Sequence, residues 1–578
     1  MVDPDPHAQP LLSTPAYRQP ETMSATTRHL SAAPYLDISF ANVVIREVLE
    51  SERKAVPPSY GFDLDPVVRH SLRARRLLLL RYGLVTIVLI VGFCLSPIAT
   101  IGWLLLCGIV VGFRSRILGG LPPQVRMGII AAIALSVLCL GGYWLVQSMS
   151  GDIGDILFGS SGSDYYGSDF GGDDFGFTYL DFLYPVVLTA AMFAVLFLSR
   201  RHVLGVIITE LAPGTPNSAP RSANARVERR LAIVAGMQRG NMSVHDRYPF
   251  LGAGQFRHGW DLAVTLNPAD KEKATGRIRI DGAVLNRRVA EAIVALRSPA
   301  LSDGEKVPNV FVVPYVVANG WRRTDDPLID PNTRAPYTQA SPETLAAIEG
   351  SPQGGMRYYL RAVVPAHGKE IQTPGRRPVL PAQDSGVAVT AFVHLAVEGG
   401  MLYVEFVATV MPEVQRFYQL GDILRPERAP AYAAAATFGN FVRENLLAPL
   451  WFVQIGWDAF RLSGRMAKSA REAEELRFHD YGADLSVRDL GADYPIDKFL
   501  NHLDAAKYIS LLDKAVVEEV LNFLDEHGVD TGEFRMKAAN VSFDFSTKTF
   551  SGGQQIFGNN NRINQTNFPK APGGGSGG

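Results

Sequence analysis

The chain has 578 residues, a formal net charge of −1 and 47% hydrophobic residues. That length admits more than one domain, and the near-neutral balance excludes the global basic field that draws a protein to nucleic acid. All three cysteines, Cys94, Cys107 and Cys139, fall in apolar runs, which excludes a disulfide framework or Cys-ligated zinc in the rest of the chain.

Residues 1–34 are rich in Pro, Ser, Thr and Ala and read as a disordered tail. No cleavable signal peptide is expected, because this end is polar and the first apolar run starts near residue 77. Residues 35–76 form a juxtamembrane segment. Within it Ile38, Val43, Val44, Val48 and Leu49 recur at helical spacing, so a short amphipathic helix is predicted over 37–53, stopped by Pro57-Pro58. Arg69, Arg73, Arg75 and Arg76 then crowd the approach to the first apolar run. Such a cluster suits anionic lipid head groups; plain topogenic charge is the simpler account of it.

Residues 77–199 hold the apolar runs. The stretch 77–113 is too long for one span of about 20 residues and is broken by Ser96-Pro97, so it reads as a hairpin of 77–95 and 99–113. The runs 127–147 and 180–198 are each of single-span length. The outer loop 150–178 carries Asp152, Asp155, Asp164, Asp169, Asp173 and Asp174 with no Lys or Arg. Its spacing lacks the closing Glu of a calcium loop, and it reads as solvated and flexible. Four spans place the basic groups around Arg69–Arg76, Arg114–Arg126 and Arg200-Arg201 on one side, which predicts both termini in the cytoplasm. Tyr143, Trp144, Tyr179 and Tyr184 fall near the expected interfaces. Gly108 and Gly112 form a small-xxx-small pair fit for helix packing; the same pattern also arises as two flexible glycines.

After a linker over 200–225, residues 226–424 read as a cytoplasmic α+β domain. Strands are predicted at 260–266, 310–317, 357–364, 387–397 and 402–410, the last two joined by the turn signal Glu398-Gly399-Gly400-Met401. Helices are predicted at 287–296 and 342–349. Gly252-Ala253-Gly254 reads as a turn, not as a dinucleotide loop, since strand and helix do not flank it correctly. His245, His258, His367 and His394 show no metal-ligand spacing, and no nucleophile elbow is present. No cofactor is therefore expected. A helical region follows over 425–535. Within it 446–462, LLAPLWFVQIGWDAFRL, is too short and mixed to span; it suits either the membrane interface or a buried core. Leu512, Val516, Val520 and Phe523 share one face of a helix over 508–526, with Gly528 placed as its left-handed cap.

Residues 536–568 alternate Phe with polar residues and then become Asn/Gln-rich, a composition able to stack as amide ladders and equally that of a disordered polar tail or an edge strand. Gln555, Ile556, Phe557, Gly558, Asn559, Asn560, Asn561 and Ile563 are the candidate self-association residues. Gly558, Asn561 and Ile563 fit G-x-x-N-x-[MIL], so the segment resembles the RIP homotypic interaction motif and similar bacterial amyloid-signalling motifs. It departs from them in having Ile556-Phe557 where the family has Gln and an aliphatic residue. The helix end LDEHGVDTGEF and the segment PPSYGFDLDPV resemble uncharacterised multi-pass membrane proteins of actinobacteria, which implies a bacterial inner-membrane location and brings no known activity. Residues 569–578 read as an appended Gly/Ser linker.

The expected fold is thus an α-helical membrane domain of four spans in two hairpins plus a cytoplasmic α+β domain with a helical C-terminal part. The expected function is a non-enzymatic signalling or scaffold protein with a cytoplasmic protein partner, homo-oligomerising through its tail in contact with the lipid bilayer. An oligomeric pore and a membrane-associated enzyme are the alternatives; a pocket collecting His245, His258, Asp246 and Glu405 would favour the enzyme.

Overall fold

In the computed structural model, which describes residues 10–114, 179–217, 219–269, 278–302, 305–307, 309–366, 371–372, 378–380, 386–496, 498–536 and 538, the N-terminal part is helical. The first helix, α1 (Ala25–Leu36), starts where the Ser24 hydroxyl accepts the Thr27 N–H, and α2 (Ile38–Ile45) where Asp37 accepts the Ser39 N–H. A cap of this kind is worth about 1 kcal/mol because it satisfies an orphan donor. A π-helical turn, Arg46–Glu50, continues α2. The long helix α3 (Leu64–Leu95) is begun by Asp63 and ends at Ser96, after which Pro97 starts α4 (Pro97–Arg114). Next, α5 (Tyr179–Gly205) runs into a π turn, Val206–Glu210, and α6 (Ala225–Met237) is capped by Asn224.

The expected disordered tail is folded where it is described. Small residues hide this from composition: α1 has few large apolar side chains, yet Leu30 and Ala33 are fully buried, and the helix lies along α3. Strand β1 (Leu12–Ser13) pairs with residues 339–340, fastening this end to the sheet domain.

That domain contains β2 (Met242–His245), β3 (Gln255–Thr265), β4 (Phe311–Asn319), β5 (Trp321–Arg323), β6 (Gln339–Ala340), β7 (Met356–Val364), β8 (Ile371–Gln372), β9 (Pro378–Leu380), β10 (Val387–Glu398), β11 (Met401–Pro412) and β12 (Phe478–Asp480). Its helices are α7 (Gly282–Ala295), α8 (Pro342–Glu349), α9 (Ala429–Glu475) and α10 (Phe499–Glu526). Six strands form one mixed sheet in the order β2-β4-β7-β10-β11-β3. Only the edge pair β2–β4 is parallel. Alternation puts Val389, Ala391 and Val393 of β10 and Val404, Phe406 and Ala408 of β11 on one face. There they meet Leu285, Val289 and Ile293 of α7 and Leu512, Val516 and Val520 of α10. The β10–β11 turn has φ of 59° at Gly399 and 79° at Gly400, the left-handed pair that a two-residue hairpin needs.

The four-span membrane domain is not supported. Among the described residues two helices are long and apolar enough to cross a membrane, Leu64–Leu95 and Val186–Glu210, and only 33% of the most apolar window of each is buried. The expected spans 77–95 and 180–198 fall inside α3 and α5. The expected span 99–113 forms α4, which is not one of those two helices. The run 127–147 and the acidic loop 150–178 lie outside the described residues.

Candidate functional site

The feature that stands out from the sheet domain is a bundle of α3, α4, α5 and α9 with an apolar core and exposed apolar side chains. Its core is Tyr82, Val85, Leu89, Leu188, Met192, Leu196 and Ala448, with Trp103, Phe441 and Trp451 packed against them. Gly92 of α3 has no room for a side chain: a Cβ there would meet the Tyr184 hydroxyl at 2.7 Å. That hydroxyl donates to the Gly92 carbonyl, tying the far ends of α3 and α5 together. On the outside, Leu80, Leu84, Ile87 and Ile90 of α3 and Val186, Val187 and Leu198 of α5 are exposed. Exposed apolar side chains repeated along two helices in this way are costly in water and favourable in lipid.

A polar layer crosses the bundle at its sheet-domain end. Arg81 Nε donates to the Ser199 hydroxyl at 2.9 Å, and Arg200 Nη2 donates to Glu444 Oε1 at 2.8 Å. Both members of the second pair are nearly enclosed, and Asn445 beside it is completely buried. Breaking such a pair leaves an uncompensated charge, so the layer fixes how α5 and α9 meet. The sequence signal for it was slight, since Glu444 and Arg200 are 244 residues apart.

The arginines proposed for lipid head groups have diverse surroundings. Arg69 donates to Asp65 at 2.8 Å and to Glu228 at 2.7 Å, and Arg73 forks onto Glu210. Arg75 is buried, while Arg76 is exposed. At Gly108 of α4 a Cβ would meet open space, and the surroundings of Gly112 are not described. The candidate self-association residues 555–563 lie outside the described residues.

In the sheet domain the titratable groups are dispersed. His258 faces Asp513 of α10 at 3.8 Å, and Asp513 also accepts the Trp260 indole N–H at 2.7 Å. Glu405 accepts the Tyr359 hydroxyl at 2.8 Å, and His394 Nδ1 donates to the Tyr358 carbonyl at 2.7 Å. Burial, then the Glu405 charge, drives the Tyr359 phenol well above its usual range. Asp246 lies elsewhere, with carboxylate oxygens of Asp480 and Asp484 within 4.8 Å. Lys54 reaches into this group, donating to Asp480 at 3.0 Å and to Asp484. Burial and the two neighbouring carboxylates raise the Asp246 carboxyl. His245, Asp246, His258 and Glu405 thus sit in three separate environments and do not converge on one pocket.

The Gly252-Ala253-Gly254 turn is built into the core. Gly252 has φ +84° and donates its N–H to Asp489 Oδ2 at 2.8 Å. Gly254 has φ +107°, and a Cβ there would meet the Val410 carbonyl oxygen at 2.3 Å. Both glycines answer to packing and leave no cradle for a phosphate. Asp489 was not singled out in the sequence, because nothing marks it as buried; burial pushes its carboxyl up to about 6.

A family model described as an AbeC-like domain matches residues 259–563, more than half of the chain. No curated protein and no solved structure matches. The matched region runs from within β3 through α9 and α10, and leaves α3, α4 and α5 outside it.

Proposed function

The chain belongs to the AbeC-like domain family, and from that premise we propose that it is a membrane-anchored, non-enzymatic signalling or scaffold protein that holds its sheet domain against a bilayer for a protein partner. The observation that carries this reading is the continuity of α3. Its first turns bury Leu64, Val67 and Val68 with α2 and α6, and its later turns bury Val85 and Leu89 in the apolar bundle. No linker intervenes, so the anchor and the folded domain move as one. A rigid mount suits presentation of a binding surface at a set attitude better than a loose tether does.

The direction of the helices supports placing both chain ends on one side. In the bundle α3 and α5 run antiparallel, with Arg81 at Ser199 near the domain and Gly92 at Tyr184 at the far end. Arg76, Arg200 and Arg201 all lie toward the domain, and basic residues favour the cytoplasmic face. The bilayer is therefore proposed to be a bacterial inner membrane with the domain inside. The tail around Gln555–Ile563 is proposed to join copies of the chain. Two measurements test the reading. The full chain should stay in the membrane pellet after alkaline extraction, and release to the supernatant would refute the anchor. Deleting 551–567 should abolish self-association, and unchanged assembly of the truncated chain in detergent would remove the tail's role.

A further inference from the structure

Helix α9 packs against the apolar bundle and runs along α3 toward the sheet-domain end. Along it, Phe441 meets Phe193 and Trp103, Glu444 meets Arg200, and Trp451 lies against Tyr82. The Phe452 ring covers Gly83, where a Cβ would meet it at 3.0 Å, and Gly456 sits beside Leu79. Further on, Leu462 and Met466 enter the core shared with α2, α3 and α6. The contacts on α3 at Leu79, Tyr82 and Gly83 lie within about half a turn of Arg81, and Leu462 and Met466 carry α9 on toward the earlier turns of α3.

Three sides of this helix differ. One packs the bundle through Phe441, Ala448, Trp451 and Ile455. A second carries Leu450, Val453, Trp457 and Phe460, spaced three and four apart and hence on one face. These are 63%, 65%, 52% and 81% exposed, and Phe438, at 80%, falls on the same side. A third carries Arg443, Gln454, Asp458, Arg461 and Arg465. The Arg461 guanidinium lies 4.2 Å from the Trp457 ring centre, at the border between the second and third sides.

From this we infer that α9 lies in the interfacial layer of the bilayer, with its Leu450–Phe460 face sunk in lipid and its arginine face toward water. The inference rests on the membrane-anchored reading. The occupant is argued from continuity: through Phe452 on Gly83, the exposed face of α9 joins the exposed face of α3 at Leu80 and Leu84. A charged stripe along one side forbids full immersion, and an apolar stripe along the other favours the membrane interface. Trp with an adjoining Arg is a suitable pairing for that depth. Because α9 lies inside the family-matched segment and the two long helices lie outside it, lipid contact belongs to the AbeC-like domain itself.

The test uses the full chain with Cys94, Cys107 and Cys139 replaced by Ala, reconstituted in phosphatidylcholine vesicles containing a minority of phosphatidylglycerol. Nitroxide labels go on Val453→Cys and Phe460→Cys, with Ile87→Cys as a membrane reference and Tyr403→Cys as an aqueous one. Collision with oxygen and with a water-soluble nickel chelate is measured by electron paramagnetic resonance. Labels at 453 and 460 should favour oxygen several-fold over the Tyr403 reference, at a shallower depth than Ile87. If they match Tyr403 while Ile87 favours oxygen, α9 faces water and the inference fails with the anchor intact. If Ile87 also matches Tyr403, the anchored reading fails as well. Immobilised labels shielded from both reagents would mean that a second copy covers the face, which also overturns the inference.

Discussion

Asp489 is enclosed where the turn at Gly252 meets the short helix Val487–Leu490, and replacing it with Asn should stabilise the chain at high pH. Oδ2 accepts the Gly252 N–H at 2.8 Å and Oδ1 accepts the Tyr494 hydroxyl at 3.4 Å. Burial outweighs both bonds and the neighbouring Arg488 charge, all of which favour the charged form, and lifts the carboxyl from an ordinary 3.8 to about 6. Each pKa unit corresponds to about 1.4 kcal/mol, so the ionised group costs the folded state up to about 3 kcal/mol, or about 1–3 allowing for its partial exposure. The sign follows from proton uptake. A folded pKa raised above the unfolded one gives a contribution that is fully present below the unfolded value and lost as pH rises through about 6. Asp489→Asn removes the titration, and its carbonyl can keep the Gly252 bond. The variant should therefore gain about 1–3 kcal/mol over the parent at pH 8, and the gain should vanish near pH 4. Urea denaturation of the detergent-solubilised chain, followed by tryptophan fluorescence across that range, measures the difference. A difference independent of pH, or a variant weaker than the parent at pH 8, would refute the argument, because it would mean that the hydrogen bonds to the carboxylate and the buried Arg488 charge beside it outweigh its burial.

Two further changes probe the joints of the structure by the same denaturation assay. Glu444→Ala leaves Arg200 enclosed near Arg81 without its anion, and should cost about 3 kcal/mol; adding Arg200→Ala should recover part of that loss if the pair acts as a unit. Gly254→Ala must bring a Cβ within 2.3 Å of the Val410 carbonyl at φ +107°, and should cost about 3 kcal/mol or more. Gly528→Ala, at φ +69° with open space around it, should cost only about 1 kcal/mol.

Where a local rule had a single meaning, the sequence was legible. The five predicted strands overlap β3, β4, β7, β10 and β11: β3, β7, β10 and β11 bury an apolar face under α7 or α10, and β4 is a short apolar run buried on both faces through Tyr315, Val316, Val317 and Ala318. Gly399-Gly400 and Gly528 are legible because only glycine adopts positive φ cheaply. Strand β2 escaped, being four residues long and parallel to its partner, with no hairpin turn to announce it. The polar joints escaped for a different reason. Arg200–Glu444, Lys54–Asp480 and Gly252–Asp489 each join segments distant in sequence, and a lone charged residue carries no mark of being buried.

The change of composition near residue 226 suggested a boundary between membrane and soluble parts. Arg230, four residues on, is fully enclosed instead: Nε donates to the Val48 carbonyl at 3.0 Å, and Nη2 to those of Ser51 and Lys54. It thereby closes the end of the π turn that follows α2 and binds the N-terminal helices to α6. Val227, Leu231 and Val234 of α6 bury into the same core as Val67 and Val68 of α3 and Met466 of α9. An apolar run identifies which helices seek lipid, but it does not reveal which of their turns also serve a water-facing core. Here α3 and α9 do both, so an anchor built from them cannot be separated from the domain without opening that core.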